Sequence, residues 1–372
     1  MRVIITGGGT GGHIYPALAI AEKLKKEYKG IEILYIGAKL GMEKEIVPKS
    51  GIPFKQIDVA PLNKKISLKT VKALGTLVKG LLQARKEVRR YKPDLIIGTG
   101  GYVAGPIVMM GAISGIPTII HEQNAFPGMT NKLLSRHVDR ILLTFEEAKA
   151  HFKQTDKTVY TGMPVLENFF TIQRDYARQR LGFGKDEFVI MTVGGSNGAL
   201  KLNQIMMETY GKLKDISDIK IIHVSGNRYH ERISEKISSG EYEVGVNFKL
   251  VAYMKEMPMY LNGVDLVISR AGASTISEIM AAKTPSIIIP SPNVANNHQF
   301  HNAKVVDRNG MGIILKEEDL TPELMLHTIM DFHETPSKLE IMRNNCEKHE
   351  MTNSMDLIMN EVKAVLKEHG DL

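Results

Sequence analysis

At 372 residues the chain exceeds what one hydrophobic core ordinarily serves, so two domains of usual size are expected. A composition of 43% hydrophobic and 24% charged residues with no low-complexity tract excludes a disordered or fibrous protein; the single cysteine, Cys346, excludes an intramolecular disulfide and favours a reducing cytoplasm. The net charge of +7 is concentrated. Between residues 64 and 92 ten Lys or Arg stand against Glu87 alone, a local +9 that points to an anionic partner.

The chain opens on a strand signal, Val3-Ile4-Ile5-Thr6, rather than on a basic segment followed by an apolar one, so no export signal is expected. The strand runs into Gly7-Gly8-Gly9-Thr10-Gly11-Gly12-His13 and then into residues 14–24, apolar at helical spacing: strand, phosphate loop, helix. The same strand-to-glycine step recurs at Leu95-Ile96-Ile97-Gly98-Thr99-Gly100-Gly101-Tyr102 and at Val189-Ile190-Met191-Thr192-Val193-Gly194-Gly195-Ser196-Asn197-Gly198. Three such loops predict two nucleotide-binding-like halves.

In the first half strands are predicted at 2–6, 31–36, 54–59, 95–97, 118–121 and 140–143, with a short one at 159, separated by helical patterns at 15–28, 68–91, 103–114 and 130–135. Residues 95–120 carry no charge, but Pro106, Pro117 and six glycines break them into separate elements, so a membrane span is rejected. Gly162-Met163-Pro164 marks the linker. Strands are predicted again at 188–193, 220–224, 248–251, 266–269, 286–290 and 312–315, and the tail from 321 reads as two or three helices, the last at 355–367. This alternation predicts parallel doubly wound sheets with ligands at the C-terminal strand ends.

Gly7-x-Gly9-x-x-Gly12 also fits a dinucleotide fingerprint, but that reading wants an acidic residue at the end of the second strand, and Glu32 lies at its start. A nucleotide-cofactor oxidoreductase is therefore a distant alternative.

Further words complete the pattern: His121-Glu122-Gln123-Asn124, then Ser269-Arg270-Ala271-Gly272-Ala273-Ser274-Thr275-Ile276-Ser277-Glu278, then His298-Gln299 with Asn302-Ala303. In this order and spacing, over essentially the whole chain, the sequence resembles the MurG family. Those enzymes move N-acetylglucosamine from UDP onto the lipid-linked muramoyl-pentapeptide precursor of peptidoglycan (lipid I to lipid II). The resemblance implies an α/β protein of the GT-B fold, two Rossmann-like doubly wound parallel-sheet domains with the active site in the cleft between them. The domains would be 1–163, with a C-terminal helix at about 355–372 packing back on it, and 164–354. It implies an inverting hexosyltransferase with UDP-GlcNAc as donor and undecaprenyl-linked lipid I as acceptor. It also implies a peripheral place on the cytoplasmic face of the membrane, a role in cell-wall biogenesis and division, and contacts with other cell-wall synthesis proteins. No Asp-x-Asp occurs in the chain, so no cofactor and no obligatory metal are expected; glycine loops at helix N-termini can meet the charge of the departing UDP.

Carried onto this sequence, the family's donor contacts fall on Thr10, Gly11, Gly12, Asn124, Ser196, Met254, Glu278, Gln299 and Asn302, with Glu278 on the ribose diol. Thr10, Gly11 and Gly12, which meet the transferred sugar, would together with the loop of Gly98, Gly100, Gly101 and Tyr102 also cradle the acceptor's pyrophosphate, Tyr102 reading as packing rather than stacking. Three positions depart from the family: Asn197 for Gln, Met254 for Ile, where a main-chain contact survives, and Leu166 for an Arg that reaches the donor phosphates. For the base, His13 at the end of the first loop competes with Glu122, and each has a plain alternative: a His that positions the acceptor, an acid that anchors a loop. In the basic segment Leu74, Leu77, Val78, Leu81 and Leu82 recur at helical spacing beside Lys69, Lys72, Lys79 and Arg85. This is either a core-facing stripe or, for a polyprenyl-linked acceptor, a patch for anionic headgroups. Nucleic acid is not expected, since no aromatic residues interleave the basic ones. The rival readings are a UDP-sugar transferase acting on another lipid, such as diacylglycerol, and a non-catalytic UDP-sugar-binding scaffold.

Overall fold

The computed structural model describes residues 1–60, 68–195, 198–348 and 354–370, and of residues 68–74 and 77 the backbone alone. The chain divides into two compact units, Met1–Val165 with Asn353–Leu372, and Leu166–Thr352.

The first unit holds a seven-stranded parallel sheet of β1 (Arg2–Thr6), β2 (Glu32–Ala38), β3 (Phe54–Ile57), β4 (Leu95–Gly98), β5 (Thr118–Glu122), β6 (Arg140–Leu143) and β7 (Thr158–Tyr160), in the order β3-β2-β1-β4-β5-β6-β7. Strand alternation sorts its side chains onto two cores. Val3 and Ile5 pack with Ile14, Ile20 and Leu24 of the helix Gly11–Glu27, while Ile4 joins Ala84 and Val88 of the helix Leu68–Tyr91 and Ile107 of the helix Ala104–Ile113. Burying each of these Val, Leu and Ile side chains stabilises by about 1.5–3 kcal/mol.

The last helix, Ser354–Glu368, belongs to this unit: Ile358, Met359, Val362, Val365 and Leu366 complete the first of those cores. Lys363 pairs with Glu27 at 3.0 Å and Arg140 with Glu361 at 3.1 Å, holding its polar side against the first helix and β6.

The second unit repeats the plan with six parallel strands, β8 (Phe188–Val193), β9 (Ile219–Val224), β10 (Phe248–Val251), β11 (Leu266–Ser269), β12 (Ser286–Ile288) and β13 (Gly312–Ile314), in the order β10-β9-β8-β11-β12-β13. All thirteen expected strands are present. The helices Glu43–Lys49 and Arg174–Leu181 were not anticipated, and both are too short to show a clear apolar period. Among the described residues no helix is long and apolar enough to cross a membrane.

In each sheet the strand order reverses direction beside the first strand of its unit, between β1 and β4 and between β8 and β11. Ligands of doubly wound sheets bind outside the carboxyl ends of the strands at such points. The glycine loops of the sequence follow β1, β4 and β8.

Candidate active site

In the first unit the loops after β1 and β4 clasp one another. Thr6 pairs with Gly98 in register; beyond them Thr99 Oγ1 donates to the His13 carbonyl at 2.7 Å and the Gly8 amide to the Gly100 carbonyl at 3.3 Å. Gly101 has φ +80, and a Cβ there would lie 2.2 Å from the Gly8 carbonyl oxygen, so no other residue fits this crossing. From beneath, the fully buried Glu43 accepts from the Gly9 amide at 3.0 Å and the Ala38 amide at 2.8 Å, while Tyr35 donates its hydroxyl to the Gly7 carbonyl at 2.7 Å. Thr10 is the N-cap of the helix Gly11–Glu27 and makes no side-chain cap bond. The first-turn amides of Gly11 and Gly12 have no partner within the helix, and no acidic residue stands in that turn, the arrangement of an anion site. Tyr102 is half-buried beside Gly9 and the Ala84–Ile107 core, as a packing residue, and burial raises its hydroxyl above the usual range.

The half-buried His13 lies against this cradle: Nδ1 is 2.9 Å from Gln123 Oε1, and a Cβ at Gly100 would meet the ring at 2.9 Å. The chain of contacts continues from Gln123 Nε2 to His121 Nδ1 at 2.9 Å and from His121 Nε2 to the Gly162 carbonyl at 3.0 Å. Glu122 is buried and accepts four bonds: from the Asn124 amide at 3.0 Å and Nδ2 at 3.3 Å, from the Gly128 amide at 3.0 Å and from Asn131 Nδ2 at 2.9 Å. That is the geometry of an acid anchoring the loop that carries Asn124. Asn124 is itself half-buried at the rim.

In the second unit Ser196 and Asn197 lie outside the described residues. Around them Gly198 has φ +72, and a Cβ there would lie 2.2 Å from the Ser225 carbonyl oxygen; Asn203 Nδ2 donates to that oxygen at 2.9 Å. The loop after β8 is thus pinned to the one after β9, much as the loops of the first unit are pinned to each other. After β11 the turn Arg270–Gly272 leads into the helix Ala273–Ala281, whose first turn again lacks an acid. Arg270 braces the turn through the Ile289 carbonyl at 3.2 Å and an ion pair with Glu317. Glu278 lies on that helix, half-buried, with no hydrogen-bond donor on its carboxylate among the described residues, and burial pushes it up to about 7.

Gln299 Oε1 accepts from the Ser291 amide at 2.8 Å, which leaves its NH2 group without a partner among the described residues. The turn before it holds Asn296 and Asn297 at φ +54 and +52, strained for residues other than glycine. Asn302 is completely buried, donating to the Ala271 carbonyl at 3.2 Å, so here it ties its helix to the turn after β11 rather than facing outward. Met254 is buried, which leaves only its backbone for a ligand. A cleft of about 470 Å³ opens beside this loop, lined by Lys201, Pro290, Asn297, Phe300, Lys316 and Glu317. Leu166 is exposed.

On the helix Leu68–Tyr91 the core-facing stripe is Gly80, Ala84 and Val88, while Val78 and Leu82 are 53% and 62% exposed and Leu81 is intermediate. Lys79 pairs with Asp58 at 2.7 Å, holding that carboxyl below the usual range, so it is not a free cation. The side chains of Lys69, Lys72, Leu74 and Leu77 lie outside the described residues. No group of three or more His, Cys, Asp or Glu among the described residues is placed to hold a metal ion.

Sequence reasoning missed Glu43, Thr99, His121 and Gln123 as parts of this site. The alternation of a strand was the available signal for the last two, since it sets His121 and Gln123 on one side and Glu122 and Asn124 on the other.

Known proteins bear the same pattern. Residues 3–143 match the glycosyltransferase family 28 N-terminal domain and residues 189–358 the family's C-terminal domain. A UDP-N-acetylglucosamine--N-acetylmuramyl-(pentapeptide) pyrophosphoryl-undecaprenol N-acetylglucosamine transferase of Thermoanaerobacter sp. (strain X514) is 40% identical, covering 98% of this chain and 100% of that protein. The enzyme of the same name from Desulfitobacterium hafniense (strain Y51) is 43% identical over 92% and 93%. The crystal structure of MurG from Acinetobacter baumannii, 26% identical over 98% of this chain and 99% of that one, superposes with a TM-score of 0.78. The calicheamicin glycosyltransferase CalG4, 13% identical with a TM-score of 0.70, shares the fold alone. The two parallel-sheet units are those of the GT-B glycosyltransferase fold, and the chain belongs to glycosyltransferase family 28 and, within it, to the MurG family.

Proposed function

We propose that this protein moves N-acetylglucosamine from UDP-N-acetylglucosamine to the 4-hydroxyl of N-acetylmuramic acid in undecaprenyl-pyrophosphoryl-MurNAc-pentapeptide, the lipid I to lipid II step of peptidoglycan synthesis. The observation that carries this reading is the likeness to transferases of that name along nearly the whole of both chains, in both family domains.

The donor belongs to the second unit. The helix N-termini after β8 and β11 face the diphosphate, and Glu278, whose carboxylate meets no donor among the described residues, takes the ribose diol. The NH2 group of Gln299 and the backbone at Met254 contribute the remaining polar contacts. The acceptor pyrophosphate belongs to the cradle of Gly11, Gly12 and the Gly98–Tyr102 loop. His13 takes the proton of the attacking hydroxyl: its O–H bond breaks as Nε2–H forms, the oxygen bonds to the anomeric carbon, and the carbon–oxygen bond to UDP breaks with inversion. Glu122 holds the Asn124 loop and is not the base, since its oxygens already accept four bonds. Backbone amides at helix N-termini supply the positive potential for the departing UDP, so turnover persists in chelator with the protein folded.

The protein works as a peripheral protein on the cytoplasmic face of the membrane. Val78 and Leu82 face outward on a helix whose exposed flank carries Arg85, Lys86, Arg89 and Arg90, a combination suited to anionic headgroups.

UDP release from UDP-N-acetylglucosamine, with and without a short-chain lipid I analogue and in parallel with UDP-glucose, tests the reading. Acceptor-dependent release from the acetylated donor alone is expected. Release from UDP-glucose with diacylglycerol would keep the fold and overturn the substrate, and binding without release would leave a scaffold.

A further inference from the structure

We infer that His121 and Gln123 are positioning residues that fix the protonation pattern of His13, through a one-directional hydrogen-bond relay anchored on the Gly162 carbonyl. The inference rests on His13 being the base of the reaction.

The direction of the relay follows from its end. The Gly162 carbonyl can only accept, so His121 Nε2, 3.0 Å away, must carry a proton. His121 is completely buried, and burial lowers it to about 4, so near neutral pH the ring is uncharged and its Nδ1 is bare. The group 2.9 Å from that nitrogen must donate, which makes it the NH2 of Gln123; the same NH2 also donates to the His121 carbonyl at 3.0 Å. The oxygen of the Gln123 amide is thereby turned to His13 Nδ1 at 2.9 Å, and that nitrogen must be the protonated one. In neutral His13 the bare nitrogen is then Nε2, which meets no hydrogen-bond donor among the described residues.

The reverse orientation fails at the His121 end. A Gln123 oxygen facing His121 would need a proton on His121 Nδ1, and the neutral ring would then turn a lone pair on the Gly162 carbonyl. The anchor itself is rigid: Gly162 sits at φ +74, its amide donates to the Leu143 carbonyl at 3.1 Å, and a Cβ there would meet Ser354 Oγ at 2.4 Å. A histidine base works only when the nitrogen facing the substrate is bare, and the bond made by its other nitrogen decides which one that is. When Nε2 takes the proton of the acceptor hydroxyl, the imidazolium keeps its Nδ1–H bond to Gln123, so nothing has to reorganise.

The test is 15N NMR of the full chain labelled at histidine nitrogens, with the His13→Gln spectrum identifying the His13 signals, alongside steady-state kinetics. Wild type should show neutral His13 protonated on Nδ1 and bare at Nε2; the opposite tautomer overturns the relay without any variant. Gln123→Leu should give mixed tautomers and lower kcat at least about tenfold with KM for UDP-N-acetylglucosamine unchanged. Gln123→Glu, which still accepts from Nδ1, should keep the wild-type tautomer and recover part of kcat. A Gln123→Leu protein with the tautomer unchanged overturns the inference whatever its kcat. The base reading fails separately, if His13→Gln itself turns over normally while the tautomer follows Gln123.

Discussion

Thr99 donates its hydroxyl to the backbone carbonyl of His13 at 2.7 Å, joining two glycine loops 86 residues apart in the chain. Thr99 is completely buried, and Gly7 is glycine because a Cβ there would lie 2.0 Å from the same hydroxyl. Replacing it by the near-isosteric valine removes this loop-to-loop bond from a half-buried carbonyl, at a cost of about 0.5–1.5 kcal/mol. Thr99→Val should therefore lower the denaturant midpoint modestly. It should reduce kcat more than it raises KM for the donor, because the group displaced is His13. Equal loss in both constants would place the effect on donor binding instead.

His13→Ala should reduce kcat by on the order of 10²–10⁴ while the Kd for UDP-N-acetylglucosamine, measured by calorimetry, stays within about threefold. Loss confined to donor binding contradicts the base role.

Glu278 ties the stability of the second unit to pH. Its carboxyl is raised by burial to about 7, above the ordinary carboxylate value that it has in the unfolded chain. Below that ordinary value both states are protonated and the site carries no penalty. As pH rises from that value through about 7 stability is lost, because the unfolded chain releases its proton first and the folded state then holds a charge with no donor among the described residues. Glu278→Gln should thus differ little from wild type at pH 4 and be more stable by about 1–3 kcal/mol at pH 8, read from urea melts at both pH values. The ribose diol donates to the ionised form, so wild-type affinity for UDP should increase as pH rises through the same range, and the variant should show no such increase. A stability difference that does not change between the two pH values contradicts the assignment.

Val78 and Leu82 are one helical turn apart and mostly exposed. Converting both to glutamate should leave the thermal midpoint within about 2 °C, since neither fills the core. Co-sedimentation with vesicles containing anionic lipid should fall at least about fivefold. Unchanged sedimentation would move the membrane contact to another surface.

The sheets were legible because β-branched runs ending in glycine announce a parallel strand and its loop together, as at Val3–Gly7 and Val189–Gly194. The polar underside of the site was not. Glu43 follows a turn in a segment with no apolar period, and its partners, the amides of Gly9 and Ala38, are set by tertiary packing rather than by spacing. The words around His121 and Asn302 were visible, yet residue type alone does not separate a side chain that touches a ligand from one that orients its neighbour. In the basic helix the large apolar residues read either as a core-facing stripe or as a membrane patch, and of them Val78 and Leu82 are exposed. The buried stripe instead includes Gly80, whose missing side chain lets Asp58 and Val59 come near.

The helix Ser354–Glu368 supplies five buried side chains to a core whose other members were synthesised first. On the ribosome, the opening domain must wait for the whole of Leu166–Thr352 to be translated, on the order of 10–40 s, with an apolar face uncovered. The intervening unit, continuous in sequence, is free to fold in that interval. Vectorial synthesis thus inverts the expected order: the segment made first is the last to be finished.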